Sequence, residues 1–356
     1  MEKKPHSNFN LEFIFGKPLN VVDDIIAEKE RHVRHFEIPK DDGSKRKLIA
    51  PDRDLKYIQK SICWRLLKRY KPSEAAHGFV AKRSIVTNAI FHVGARSVGK
   101  IDVKSFFDTI NVDHLKNCLF GNKNVCRMCC YYESMLNGDC SPSLYANKRS
   151  KFKRRCEEIK AVYIPTYCQE TGYQSLFTRV IELCTLKGRT VQGFPTSPYM
   201  ANIVMRGFDK TMIQHCKQHD IAYSRYADDL AFSSKTLSKD ELKGLIQKKV
   251  YSQLWAYNFK PNHKKTSWRS KGGRLRVCGI VVNVKTAIQR SILRLFRAKV
   301  HHATVKFADQ TRRPQIRRLK GYASFIMSVN REQGEKYMKQ LTDFEQARFP
   351  KAAKAD

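Results

Sequence analysis

Two adjacent carboxylates, Asp228 and Asp229, sit between apolar, strand-like runs in Ile221-Ala-Tyr-Ser-Arg-Tyr-Ala-Asp-Asp-Leu-Ala-Phe-Ser-Ser234. That pattern predicts a tight β-hairpin with the acids at its exposed tip. Neighbouring acids repel each other unless a cation lies between them. Far earlier in the chain, Asp102 closes the short apolar run Val98-Gly-Lys-Ile-Asp-Val103. In a small antiparallel sheet the two segments can lie side by side and bring three carboxylates to one point. Hard oxygen ligands suit Mg²⁺, which keeps sites free for water and substrate phosphates. A pair of such ions would activate an attacking hydroxyl and stabilise a leaving pyrophosphate.

The rest of the composition fits an anionic substrate. The chain has 356 residues, with 68 Lys and Arg against 33 Asp and Glu, a formal charge of +35. That excess is far beyond what solubility needs and points to a groove that tracks nucleic-acid phosphates. No long apolar run, lipidation signal or signal peptide is visible, so no membrane partner is expected. The 11 cysteines are an odd number without a secretory signal, which favours a reducing cytoplasm over a disulfide framework.

These residues need elements to hold them. The first 35 or so residues read as helical, with Val21, Val22, Ile25 and Ile26 on the apolar side. A basic hairpin follows over 36–50, turning at Asp41-Asp42-Gly43. Asp54 is a candidate cap for a helix carrying Leu55, Ile58, Ile62 and Leu66 at helical spacing. After the strand at 98–103 and an aromatic turn at 105–108, helices are expected over 173–187 and 199–217, flanking the loop Gln192-Gly-Phe-Pro-Thr-Ser-Pro198. Beyond the acidic hairpin, Ser238 and Glu241 form a capping box for a helix with Leu242, Ile246, Val250 and Leu254 on one side. Residues 276–283 read as one β-run, and the chain from about 286 onward as basic helices. The order strand, helix, hairpin, helix, strand predicts an α+β fold with an open antiparallel sheet of the split βαβ kind.

Four ordered motifs within residues 30–330 resemble those of reverse transcriptases. Lys100-Ile-Asp102-Val-Lys-Ser-Phe-Phe107-Asp looks like their first catalytic motif. Gln192-Gly193-Phe-Pro195-Thr-Ser197-Pro looks like their template and nucleotide-positioning loop. Tyr226-Ala-Asp228-Asp229 looks like the metal-binding hairpin, and Asn262-His-Lys-Lys265-Thr266 like the motif after it. The resemblance implies a right-hand polymerase. Fingers and N-terminal helices would occupy 1–97. The palm, an antiparallel sheet with flanking helices, would occupy 98–285, and a basic helical thumb 286–356. It implies that Asp102 and Asp228 hold two Mg²⁺ ions with the Val103 carbonyl, and that Asp229 is a third, less intimate carboxylate. Phe107 would lie under the sugar and favour deoxynucleotides. Gln192 and Gly193 would contact the incoming nucleotide, Lys40 and Arg46 would grip its triphosphate, and Lys265 would approach the leaving pyrophosphate as a candidate acid.

Within that family, Asn88-Ala-Ile-Phe-His92 resembles the Asn-Ala-x-x-His signature of retron reverse transcriptases. Val277-Cys278-Gly279 stands where those enzymes usually carry Val-Thr-Gly, and His77-Gly78-Phe79 with Ser84-Ile85 also fits. The resemblance implies RNA-binding roles for Asn88, His92, Val277, Cys278 and Gly279. It implies the same for Arg317, Arg318 and Lys320, in a basic segment interleaved with Tyr322 and Phe325. It further implies priming from a guanosine 2′-hydroxyl in a cognate structured non-coding RNA. From dNTPs the product would be branched multicopy single-stranded DNA (msDNA) that stays bound, with an effector protein, in an antiphage system of the prokaryotic cytoplasm. The rivals are a group II intron, diversity-generating or abortive-infection type of reverse transcriptase, and a non-catalytic RNA-binding scaffold.

One stretch lies outside these motifs. Seven cysteines fall from Cys118 to Cys168, in a basic insert at about 118–170. Cys126 and Cys129 have the spacing of half a zinc site that Cys140 could complete. The other reading is an ordinary set of reduced, partly buried thiols.

Overall fold

In the computed structural model, which describes residues 11–39, 43, 45–120 and 173–350, alternating side chains and capped amphipathic helices yield a mixed α+β fold. In chain order the first elements are α1 (Leu11–Phe15), α2 (Leu19–Ala27), β1 (Val33–Pro39), β2 (Lys45–Pro51) and α3 (Arg53–Arg65). Next come α4 (Ile85–Ile90), β3 (Ser97–Val103), α5 (Phe106–Thr109), α6 (Val112–Phe120), α7 (Tyr173–Cys184) and α8 (Ser197–Gln218). The acidic hairpin is β4 (Ala222–Tyr226) and β5 (Asp229–Ser234), followed by α9 (Lys239–Ala256) and β6 (Pro261–Ser270). Last are β7 (Arg276–Val277), β8 (Ile280–Val281), α10 (Arg290–His301), α11 (Arg313–Val329) and α12 (Arg331–Arg348). The chain divides into two compact units. The first comprises Met1–Ser73, Ser105–Asp209 and Ala256–Phe259; the second comprises Glu74–Lys104, Lys210–Trp255 and Lys260–Asp356.

In the first unit β1 and β2 pair antiparallel from Val33↔Pro51 to Pro39↔Lys45. Helix α3 buries Leu55, Ile58 and Ile62, with Leu66 just beyond its end, as the spacing predicts. Its cap differs from expectation. Asp52, not Asp54, has the extended backbone of an N-cap and accepts from Leu55 N at 2.9 Å, which leaves Asp54 in the first turn. The loop before α8 is tied to β2: Ile49 N donates to the Gln192 carbonyl at 2.9 Å. Phe106 is core, packed near Phe259, whose ring also stacks with His114.

The second unit is built on a four-stranded antiparallel sheet in the order β4-β5-β3-β6. Ala89 of α4 packs with Val98, Ala231, Leu275, Val277, Ile280 and Val282 in one cluster. Ser238 and Glu241 cap α9 reciprocally, and Leu242, Ile246, Val250 and Leu254 are buried. Residues 276–283 are not one strand. Cys278 and Gly279 both have positive φ, 47° and 81°, so the run folds back as the β7–β8 hairpin on a type I′-like turn. The C-terminal helices form a separate cluster that includes Phe296, Val300, Ile316, Leu319, Ala323, Ile326, Tyr337 and Leu341. No helix among the described residues is long and apolar enough to cross a membrane.

Candidate active site

Strand β3 lies between β5 and β6, and this position brings the acids together. Asp102 is directly opposite Asp229 in one ladder and opposite Asn262 in the other. Residues opposite each other in an antiparallel pair share a face of the sheet. Asp228 occupies the turn between β4 and β5, and its carbonyl accepts from Val103 N at 3.1 Å. Asp102, Asp228 and Asp229 therefore meet where β3 ends and the hairpin turns.

The turn is not an exposed tip. Ala227, with φ 57°, is buried, and Asp228 and Asp229 are half-buried. Gly78 explains the close fit: a Cβ built on it would stand 2.5 Å from Ala227 N. Beneath the turn, Arg225 is fully buried and one guanidinium nitrogen donates to the Ala227 carbonyl at 3.2 Å.

Basic and amide groups surround the acids. Asn262 Nδ2 donates to Asp102 Oδ1 at 2.9 Å, and Lys265 Nζ to Asp102 Oδ2 at 3.4 Å. Lys265 reaches Asp102 because β6 bulges. Lys100 pairs with Ser267 but Asp102 with Asn262, so the extra β6 residues loop out, closed by Thr266 Oγ1 on the Asn262 carbonyl. Lys100, two residues before Asp102 and on the same face, sets its Nζ 3.4 Å from Asp229 Oδ2. Burial holds the Asp228 carboxyl above its ordinary range, and repulsion from Asp102 and Asp229 pushes it further the same way. A cation among these oxygens would relieve that repulsion.

The donor set fits Mg²⁺. Among the described residues no three His, Cys, Asp or Glu side chains close into a ready-made cage. Mg²⁺ does not need one, since it is commonly held by one or two carboxylates plus waters and substrate phosphates.

The remaining expected residues are distributed as follows. Phe107, Arg46, Gln192 and Gly193 belong to the first unit. Arg46 is exposed on β2, and Phe107 is half-buried edge-on to Phe106. Gly193 has φ 119°, and a Cβ there would stand 2.3 Å from the Ile49 carbonyl oxygen, so the close approach it permits is to β2. Arg317 and Arg318 are exposed on α11, whereas Lys320 is tied to Glu345 at 2.6 Å. Lys40, Cys126, Cys129 and Cys140 lie outside the described residues.

Asn88 and His92 were expected to touch RNA, but both are buried and their hydrogen bonds point inward. The ring nitrogens of His92 meet Ser233 Oγ and Ser224 Oγ, each at 2.7 Å, so it braces both strands of the acidic hairpin. Burial lowers its pKa to about 3 and keeps it neutral. Asn88 Nδ2 donates to Cys278 Sγ at 3.2 Å. Any influence of these two residues on RNA is therefore indirect, because neither side chain reaches a surface. Val277 is likewise buried, while Cys278 is half-buried and Gly279 exposed at the hairpin turn. Burial, with Asp229 and Asp228 nearby, raises the Cys278 thiol to about 11.

Sequence reasoning assigned no role to Lys100, Asn262, Gly78 or Arg225. The period-two spacing of Lys100 from Asp102 was a usable signal for the first. The other three depend on tertiary contacts.

The sequence pattern described as "Reverse transcriptase (RNA-dependent DNA polymerase)" matches residues 38–307. The chain belongs to the reverse transcriptase family. It is similar to the Retron Mx162 reverse transcriptase of Myxococcus xanthus, 29% identical over 88% of this chain and 61% of that protein. The Retron Mx65 reverse transcriptase of the same organism is 28% identical over 87% of this chain and 64% of its own. The Retron Ec86 reverse transcriptase of Escherichia coli is 27% identical, over 80% of this chain and 72% of its own. The match thus spans less than two thirds of the length of the two Myxococcus reverse transcriptases. Among solved structures, apo telomerase from Candida tropicalis is similar with a TM-score of 0.43 and 13% identity, over 89% of this chain and 61% of that one.

Proposed function

We propose that this reverse transcriptase is the RNA-directed DNA polymerase of a retron. It would copy part of a cognate structured RNA, starting from a guanosine 2′-hydroxyl, into branched msDNA that acts with an effector protein in antiphage defence. One observation carries the polymerase reading: Asp102, Asp228 and Asp229 converge beside Lys265 in a chain of formal charge +35. Similarity to retron reverse transcriptases supports the narrower assignment. So does the bond from Asn88 to Cys278, which joins the two retron-like signatures. A threonine hydroxyl at position 278 would accept the same bond, so cysteine there preserves the acceptor.

In this reading 1–97 serve as fingers with the N-terminal helices, 98–285 as palm and 286–356 as thumb. Asp102 and Asp228 would hold two Mg²⁺ ions, with Asp229 and the Val103 carbonyl assisting. When bound, the ions supply activation of the attacking hydroxyl and neutralisation of the leaving pyrophosphate. The hydroxyl oxygen attacks the α-phosphorus of the dNTP, and the bond to pyrophosphate breaks. Lys265, carried to the site by the β6 bulge and largely exposed there, would donate a proton to the leaving oxygen. Phe107 would exclude a ribonucleotide 2′-hydroxyl, Gln192 and Gly193 would position the base, and Lys40 and Arg46 would bind the triphosphate. The cognate RNA would be the template, in the prokaryotic cytoplasm.

The test is to purify the protein with its native RNA and treat the bound nucleic acid with RNase and debranching enzyme. DNA carrying a branched RNA stub is expected. DNA without a branch would reject the retron assignment and keep the polymerase. Product sequence independent of the RNA would favour an abortive-infection type. Undiminished function in Asp228→Asn would leave only a scaffold.

A further inference from the structure

Between α10 and α11 the chain passes through a π-helical turn, His302–Lys306, and opens a cavity of about 720 Å³. Wide turns of this kind recur at functional sites because they displace side chains from the regular helical ladder. We propose that this cavity receives a single unpaired nucleotide of an RNA, with the base between aromatic walls and the phosphate on Lys299 and Arg318.

Two aromatic surfaces line it. Tyr322 is 56% exposed, and its ring is backed by Phe296 at 6.1 Å between centroids, itself edge-on to Tyr337 in the core. A ring supported on one side and open on the other is a stacking platform. On the turn, His302 and Phe307 lie 4.2 Å apart, also lining the cavity.

Cations and amides complete the site. Lys299 and Arg318 are exposed on its wall, and neither forms an ion pair among the described residues. Of the acids, Glu345 is paired with Lys320, and Asp309, next to the lining Gln310, sets one negative charge against the two cations. The wall therefore keeps a positive field that a phosphate can use. Gln310 and Gln315 can read a base edge, since an amide both donates and accepts. Gln315 Oε1 takes the Arg312 N–H at 2.8 Å, which leaves its amino group to donate.

The shape selects the ligand. An extruded base can lie in this open pocket against Tyr322, whereas the bases of a paired A-form stem stay stacked inside the duplex, and the volume lies within the usual range for small-ligand pockets. This inference rests on the reading of the chain as RNA-binding.

The experiment compares the full chain binding two RNA stem-loops of identical sequence, one with a single unpaired nucleotide in the stem. At fixed salt the bulged RNA should bind about tenfold tighter, the worth of one stacked base. Tyr322→Ala should abolish that preference while keeping affinity for the paired stem, Gln310→Ala should reduce it, and Tyr322→Phe should retain it. A 4-thiouridine at the unpaired position should crosslink within residues 298–322. Equal affinity for the two RNAs, or a crosslink elsewhere, overturns the proposal and leaves RNA binding intact. Failure to bind either RNA removes the underlying reading along with it. Adenosine monophosphate binding as tightly as the bulged RNA would make the cavity a free-nucleotide site and also overturn it.

Discussion

Asp102 and Asp229 stand directly opposite each other in the β3–β5 ladder. Like charges at opposed positions destabilise a sheet. Here Lys265 and Lys100 each draw one carboxylate aside, at 3.4 Å, and Asn262 holds Asp102 from the third strand. The arrangement stores repulsion at the spot where a divalent cation would discharge it.

Removing one charge should therefore stabilise the metal-free protein while destroying its chemistry. Asp228→Asn is expected to abolish DNA synthesis and to raise unfolding stability without Mg²⁺ by about 1 kcal/mol. Added Mg²⁺ should stabilise the wild type and shrink the difference. Denaturant titrations with and without Mg²⁺ read this directly. A variant less stable than wild type in chelator would contradict the electrostatic account.

Gly78 tests how the turn is seated. A methyl group there would stand 2.5 Å from Ala227 N, and backbone cannot give way as a flexible side chain can. Gly78→Ala should cost about 1–3 kcal/mol and lower the rate of synthesis more than it weakens dNTP binding. Gly193→Ala, strained at φ 119° and pressed on Ile49, should instead raise the KM for dNTP. The two effects exchanged between variants would refute these roles.

Lys265 is held by the β6 bulge and remains largely exposed beyond its contact with Asp102. If it protonates pyrophosphate, Lys265→Met should slow a single turnover by about a hundredfold, and Lys265→Arg, which keeps the charge but is a far weaker acid, should not restore the rate. Recovery in Lys265→Arg would assign the residue to charge balance alone.

His92 predicts a pH dependence of folding. Its ordinary pKa of 6.5 falls to about 3 in the folded chain because the ring is buried. Below pH 6.5 the unfolded chain takes up a proton that the folded chain refuses. The stability is thus complete above about pH 6.5 and is lost as pH falls toward 3, amounting to about 3 kcal/mol by about pH 4. His77, lowered by burial to about 4, acts in the same direction. His92→Gln should lower stability at neutral pH and flatten the slope between pH 6.5 and 4. An unaltered slope would show that the ring is not buried neutral.

The sheet and its helices were legible because their signals are local. Alternation marked β3 and β5, helical spacing marked α3 and α9, and Ser238 with Glu241 announced a cap that forms as read. Local signals misled where neighbours compete. Asp52 and Asp54 are equally good caps by type, and only the backbone at Asp52 decides between them. The run 276–283 is apolar enough for a strand, yet positive φ at Cys278 and Gly279 folds it in two.

By itself, the order and chemistry of the residues determined that three carboxylates, a basic chain and the reverse transcriptase motifs belong together. Tertiary structure alone decided that Asp102 faces Asp229, that a bulge carries Lys265 to Asp102, and that Gly78 and Arg225 seat the acidic turn. It also turned Asn88 and His92 inward, making them braces for the Cys278 hairpin and the acidic strands. The reason is physical: period and residue type specify which face a side chain takes, but contacts between segments far apart in sequence exist only once the strands have paired.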